Sequence, residues 1–427
     1  MKTSPTYTIK KLSRWLFCFG LVVSTSRIVV GQPSSSLSLQ QVLAVVEESY
    51  PRIQQYEDNI QALQGKAEGA RSLMAPQISV GLNRFPYRTA VLKEMDLPMN
   101  QAGVMVTAEQ MITNPVKRTL KRDYLLSLTQ IERAKASWTK NELRMQTKTY
   151  YFQRYVAERK VRILAESEQS LRLLLSTARQ NYRYNQTDLS QVFKVEAKLS
   201  ELKTMQLMQE SAVVQATIGL NTLMNRPPQT AFQIDTLLVL PTSSFTPQPL
   251  LIDRRSDVLA MSHTIQSMEL SRQVMASSRK PDFGVRVEHM QMLSMPNQVS
   301  VMGMITLPLA PWSSPMFKAD VKSMQFDISA MQREKETMVL MAQQMLAEKI
   351  AMLHYENAQL QAYQSEILPA YQKNFDASLI AYRQNTGSLF VLLDAWDMLL
   401  MKRLTYLDKQ LSVLLVQAGM DYETEQP

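Results

Sequence analysis

Methionine, histidine and cysteine supply the soft and versatile ligands of a protein, and their spacing in this chain argues against most ligand chemistry. The chain has 28 Met, three His and one Cys. None of His263, His289 and His354 has a Cys or His three or four residues away, the spacing that would aim two ligands at one metal ion from a helix. His354-Tyr355-Glu356 puts its two polar groups on different sides of a helix. The thioethers of Met290-x-Met292-x-x-Met295 suit Cu(I) or Ag(I), but Met also fills irregular helical interfaces, and the sequence alone favours the filling role. No G-x-S-x-G, no Walker glycine loop and no H-E-x-x-H occurs. The expectation is therefore a non-enzyme with no catalytic residue, no metal ligands and no cofactor.

Composition shows what such a chain can build. Only 11 of 427 residues are Gly, while Met, Gln, Leu, Ala, Lys, Arg and Glu are abundant. Straight-chain residues lose little rotamer freedom in a helix, so long helices are expected. Residues 1–31 read as a signal peptide: Lys2, Lys10, Lys11 and Arg14 precede the short apolar run Trp15 to Val23, and small residues follow, with cleavage after Gly31 or Ser26. The run is too short to span a bilayer. Cys18 falls inside it, without the small-residue box of a lipid-anchor site, so neither a disulfide nor a lipid anchor is expected in the mature chain. The segment holds five basic residues and no acid, and its removal lowers the net charge from +9 to +4. No dense basic patch remains for nucleic acid. No apolar run of 18 residues exists for a transmembrane helix.

The strongest internal signal is a repeat. Pro51-Arg52-Ile53 faces Ser256-Asp257-Val258, Ile60 faces Ile265, and Pro76, Ile78, Val80 and Leu82 face Pro281, Phe283, Val285 and Val287, all at an offset of 205. Further on the offset is 200: Asn114-Pro115 faces Ser314-Pro315, and Tyr182-Arg183, Asn185, Leu189 and Val192 face Tyr382-Arg383, Asn385, Leu389 and Leu392. A single five-residue indel between Leu82 and Asn114 reconciles the two.

Each copy opens with a helical segment, 38–74 or about 250–279, that ends toward Pro76 or Pro281. Two alternating runs follow, at about 77–85 and 103–110, then at about 282–291 and 298–307, a strand pattern whose length suits a tilted membrane strand. Next come rods over 116–183 and 316–383. The first has neither Pro nor Gly, and the second has only Pro369. At about 1.5 Å per residue such a rod is roughly 100 Å long. Val321, Met324, Ile328, Met331, Met338, Ala342, Met345 and Met352 form a heptad-like seam on the second. Each rod ends in a reversal, Asn185-Gln186-Thr187-Asp188 or Asn385-Thr386-Gly387-Ser388. Asn and Gly are expected to supply the left-handed cap, and Thr187/Asp188 or Thr386/Ser388 to cap the returning helices 188–224 and 388–418. The division expected is signal 1–31, first repeat 32–225, linker 226–249, second repeat 250–420 and tail 421–427. Four strands cannot close a membrane barrel, which needs about eight, so the chain must oligomerise if these strands enter lipid.

In order and spacing, the doubled pattern of helix, Pro and strand, the reversal Tyr382-Arg383-Gln384-Asn385-Thr386-Gly387-Ser388-Leu389 and the following Phe390-Val391-Leu392-Leu393-Asp394-Ala395 resemble the TolC-type outer membrane efflux factors, including the metal-efflux branch of CusC and CzcC. The resemblance covers residues 38–420. It implies a mainly α fold with a small membrane β part: a homotrimer in which coiled-coil helices form an α-barrel across the periplasm, joined to a shared 12-stranded β-barrel in outer-membrane lipid. It also implies a Gram-negative outer-membrane location, a periplasmic adaptor, an inner-membrane pump, and a passive exit duct for small toxic compounds or metal ions. The tip residues Tyr182, Arg183, Asn185, Asp188, Leu189, Tyr382, Arg383, Asn385, Gly387 and Leu389 would meet the adaptor. Acidic residues after the second reversal line the closed entrance in relatives. Asp394 matches one such position, Val391 departs at the other, and Asp397, one turn further, could supply a second ring. The alternative is that both are solvated carboxylates favoured by the helix dipole. Two other roles stay open: a type I secretion duct, and a non-channel periplasmic adaptor or scaffold. An adaptor would carry a single hairpin and glycine-rich β domains.

Overall fold

The computed structural model describes residues 36–87, 102–184, 188–235, 249–293, 295–308, 314–384 and 386–426. The expected signal segment with Cys18, the reversal residues Asn185, Gln186, Thr187 and Asn385, and residues 236–248 of the expected linker lie outside the described residues.

The chain enters through α1 (Leu39–Ser49) and α2 (Pro51–Gly69). The sequence reading expected one helix here. Tyr50 breaks it by taking an extended conformation (ψ 121°), because the ring of Pro51 disfavours helix in the residue before it and suits the first position of the next helix. Ser38 caps α1 through a reciprocal box with Gln41. Then come β1 (Gln77–Asn83), β2 (Gly103–Ile112) and the 69-residue helix α3 (Pro115–Arg183), followed by its return, α4 (Leu189–Leu223). The second series is α5 (Ser256–Ser277), β3 (Asp282–Met292), β4 (Gln298–Thr306), α6 (Ser314–Ala362), a π-turn at Tyr363–Ile367, α7 (Leu368–Arg383) and α8 (Leu389–Thr424). The π-turn lies immediately before Pro369. The extra residue it admits lets the rod continue past a proline that has no N–H to give and whose ring crowds the preceding turn.

The helices pack along α3. One core joins Val42 and Val46 of α1, Tyr151, Phe152 and Val156 of α3, Leu220 and Leu223 of α4, and Leu407 and Leu414 of α8. A second joins Leu164 and Leu171 of α3, Val195 and Leu202 of α4, and Leu393 and Trp396 of α8. Charged pairs set the antiparallel register of α3 on α8: Lys148 bonds Asp421 at 2.7 Å and Lys160 bonds Asp408 at 2.5 Å. Between these pairs the residue numbers rise by twelve on one helix and fall by thirteen on the other.

Of the heptad-like seam, Ile328 and Ala342 are buried within the single chain, beside Leu346 and Leu360, while Met345 and Met352 are exposed on it. One further expectation is corrected. The last helix was expected to stop near 418, with a tail after it. It runs to Thr424 because its end has partners: Glu425 accepts the Ser256 N–H at 2.5 Å and its hydroxyl at 2.8 Å, capping α5, and Glu423 pairs with buried Arg255.

Candidate functional site: the sheet wall and the helix tips

The four strands form one antiparallel sheet in the order β1-β2-β3-β4, so the two repeats meet at β2 and β3. Directly opposed residues of an antiparallel ladder share a face, and the register therefore sorts every strand side chain. Ile78 opposes Ala108, Val80 opposes Val106, and Leu82 opposes Val104. Ala108 opposes Val287, and Ile112 opposes Phe283. Val287 opposes Val301, and Phe283 opposes Ile305. This face is apolar apart from Gln110, His289 and Gln291, and it is bare: Ile78, Val80, Leu82, Val299 and Val301 are 66 to 72% exposed.

The other face carries Gln77, Ser79, Asn83, Thr107, Glu109, Arg286, Glu288, Gln298 and Ser300. On the two central strands it is more sheltered than the apolar face. Glu109 and Arg286 face each other in register and pair at 2.7 Å. Every methionine of the strands also lies here: Met105, Met111, Met290, Met292, Met302 and Met304. Among the described residues, no strand pairs with the outer edge of β1 or of β4.

The sheet is tied to the rods at its base. Asn114 caps α3 by accepting the Val116 N–H, while its own N–H donates to Asp282 at 2.9 Å and its side-chain amide donates to the Pro281 carbonyl. Lys117 bonds Asp282 at 2.7 Å, and Arg118 donates to the Arg71 carbonyl after α2. The start of the first rod thereby clasps the start of the second repeat's first strand.

At the opposite end the two hairpin tips are not equivalent, although the repeat aligns them. Leu389 is 2% exposed and Leu189 is 42% exposed. Ser388 caps α8 by accepting the Val391 N–H, whereas Asp188, expected to cap α4, makes no side-chain cap bond. Gly387 is not left-handed, contrary to expectation. Its small size matters instead: Thr386 and Gly387 both donate to the Ala381 carbonyl, and a Cβ on Gly387 would lie 3.0 Å from the Ala381 Cβ. Tyr182 and Arg183 end α3, and Tyr382 and Arg383 end α7. The Asn181 amide donates to the Tyr382 hydroxyl at 3.2 Å, joining the two tips.

Asp394 and Asp397 lie on α8 beside α4, in a cleft of about 340 Å³ that also includes Lys194, Lys198, Glu201 and Phe390. Asp394 is exposed. Asp397 pairs with Lys198 at 3.1 Å, and Lys198 also bonds Glu201 at 2.9 Å. The ammonium is held above its usual range by the hydrogen bond to Glu201, against a smaller opposing effect of burial, and then by Asp397. Lys194 lies 4.5 Å over the Phe390 ring. Lys194, Lys198 and Asn181 had no sequence signal, because their partners Phe390, Asp397 and Tyr382 lie about 200 residues away.

No family model matches the chain, and no curated protein sequence matches it. Solved structures do. The outer-membrane channel OprN superposes with a TM-score of 0.75 at 14% identity, over 91% of this chain and 90% of that one. The fold is that of outer-membrane channels. CusC, whose structures concern folding and transmembrane channel formation, has a TM-score of 0.74 at 11% identity, over 90% of this chain and 91% of its own. The open-state Neisseria gonorrhoeae MtrE outer membrane channel has 0.70 at 16%, over 90% and 88%. The channel fold thus extends over nearly all of the chain, rods and sheet together.

Proposed function

We propose that this chain is one subunit of a trimeric outer-membrane duct, the passive exit of a tripartite efflux system. The observation that carries the reading is the sheet: among the described residues it has four strands, one bare apolar face, one polar face and two unpaired edges. Water would penalise the apolar face. Lipid would accept that face but would penalise the open edges by several kcal/mol for each unsatisfied group. Three copies joined β4 to β1 satisfy both conditions, giving a closed barrel of 12 strands with the apolar face outward and the polar face on the lumen. The rods then continue the lumen as a helical tunnel into the periplasm. The tips, Tyr182 to Leu189 and Tyr382 to Leu389, are the surfaces offered to an adaptor, which couples the duct to an inner-membrane pump and its cargo of small toxic compounds or metal ions. The likeness to OprN, CusC and MtrE supports this reading.

Asp394, exposed on α8 near the tip, is assigned as the charged ring of the periplasmic entrance, and Asp397 as the residue held aside by Lys198. Reconstituted in planar bilayers, the protein gives discrete channel openings, and Asp394→Ala raises the unitary conductance or weakens block by divalent cations. Equal conductance and block in the two proteins would remove Asp394 from the entrance. Absence of any openings would count against the duct.

A further inference from the structure

We propose that the lumen face of the sheet carries a thioether site for a soft monovalent cation, Cu(I) or Ag(I), formed by Met111 of β2 and Met304 of β4 over Gly284 of β3. The inference rests on the reading of this face as the wall of a duct. Six strand methionines lie on the polar face and none on the apolar face. That distribution is the reverse of what filling requires, since a filler belongs where apolar surface is covered, and this face would line water.

Met111, Gly284 and Met304 are in register across three adjacent strands. A Cβ on Gly284 would lie 2.6 Å from Met111 Sδ and 3.0 Å from Met304 Cε, so the Met111 sulfur and the Met304 methyl group lean into the space that the glycine leaves. The carboxylates on either side along this face are already taken: Asp282 by Lys117 and the Asn114 N–H, Glu109 by Arg286. With those carboxylates already facing cations the site is poor for a hard divalent ion, whereas thioether side chains suit a soft one. A second pair, Met105 opposite Met290, lies six residues further along β2, roughly 20 Å at about 3.4 Å per residue. The two pairs lie in succession along the wall, and in the second the Met290 sulfur accepts from the Asn83 amide at 3.6 Å, which leaves the Met111 and Met304 pair as the stronger site.

The test is calorimetric titration of the whole mature protein in detergent with Ag(I), and with Zn(II) as the hard control. Met111→Leu/Met304→Leu conserves side-chain volume. It is expected to weaken the tightest Ag(I) sites at least tenfold and to leave the mass of the complex unchanged. Unchanged Ag(I) binding in the double variant overturns the site, as does a wild type that binds no Ag(I) or binds Zn(II) equally well. A measurement on the wild type alone guards against a variant that fails to fold. Ag(I) should protect Met111 and Met304 from peroxide oxidation, read by peptide mass spectrometry, more than it protects the helical Met324 and Met331, and equal protection contradicts the proposal. If the protein binds Ag(I) at these residues but is monomeric, the site stands and the duct fails.

Discussion

Two phenols within the helical packing make the structure sensitive to alkali. Tyr151 is buried in the core beside Phe152 and donates to the Leu37 carbonyl at 3.2 Å. Tyr422 lies against Trp138 with ring centres 4.9 Å apart and the rings tilted by 47°, and the guanidinium of Arg255 lies over the same Trp138 ring. Burial disfavours the phenolate and pushes both groups up to about 12. An unfolded tyrosine ionises near pH 10. The stabilisation held in the two neutral phenols is therefore complete below pH 10 and is lost as the pH rises from 10 to about 12. The melting temperature of the helical part, followed by circular dichroism, should fall through that window, and Tyr151→Phe/Tyr422→Phe should flatten the fall. A wild-type melting temperature constant from pH 10 to 12 would refute this. Tyr422 lies where the sequence suggested a tail, and nothing local announces its partners: Trp138 is far away in the chain, and the pair exists only because α8 returns along α3.

At the scale of elements, proline was the most readable signal. Pro76 and Pro281 precede the strands and Pro369 follows the π-turn, since the ring fixes one dihedral and removes one donor wherever it occurs, whereas Pro51 breaks a segment that the sequence suggested was one helix. The four strands were readable from their alternation for the same local reason. The tips were less readable. The repeat suggested two equal reversals, yet Ser388 caps α8 while Asp188 leaves α4 without a side-chain cap. Ser388→Ala is predicted to cost about 1 kcal/mol of local stability, seen as faster amide exchange in the first turn of α8. Asp188→Ala should leave exchange in the first turn of α4 unchanged. Equal effects at the two tips would restore the symmetry that the structure denies. The difference follows from packing: Leu389 is enclosed by the second core and Leu189 is not, and a one-dimensional repeat carries no record of which copy faces which neighbour.

Across the whole molecule, the sheet is the element that the isolated chain leaves incomplete. Alternation within one strand shows two faces, but only the register across β2 and β3 shows that the apolar residues of both repeats fall on one side and the methionines and charges on the other. Adjacent residues of β4 allow a sharp contrast. Val301 is on the apolar face and Ser300 on the polar one. In the proposed barrel, Val301→Arg would place a charge in lipid at a cost of about 2–4 kcal/mol near the midplane, three times over in a trimer, and should abolish assembly in the outer membrane. Ser300→Arg, one residue away, should assemble and change only ion selectivity. Loss of assembly in both, or in neither, would reverse the assignment of faces.

Everything at this scale depends on closure by further copies of the chain. The direct measurement is the protein mass of the detergent-solubilised mature chain, obtained by light scattering with the detergent subtracted. The account predicts three chains in one complex that resists unheated SDS. A water-soluble monomer that takes up no detergent would contradict it.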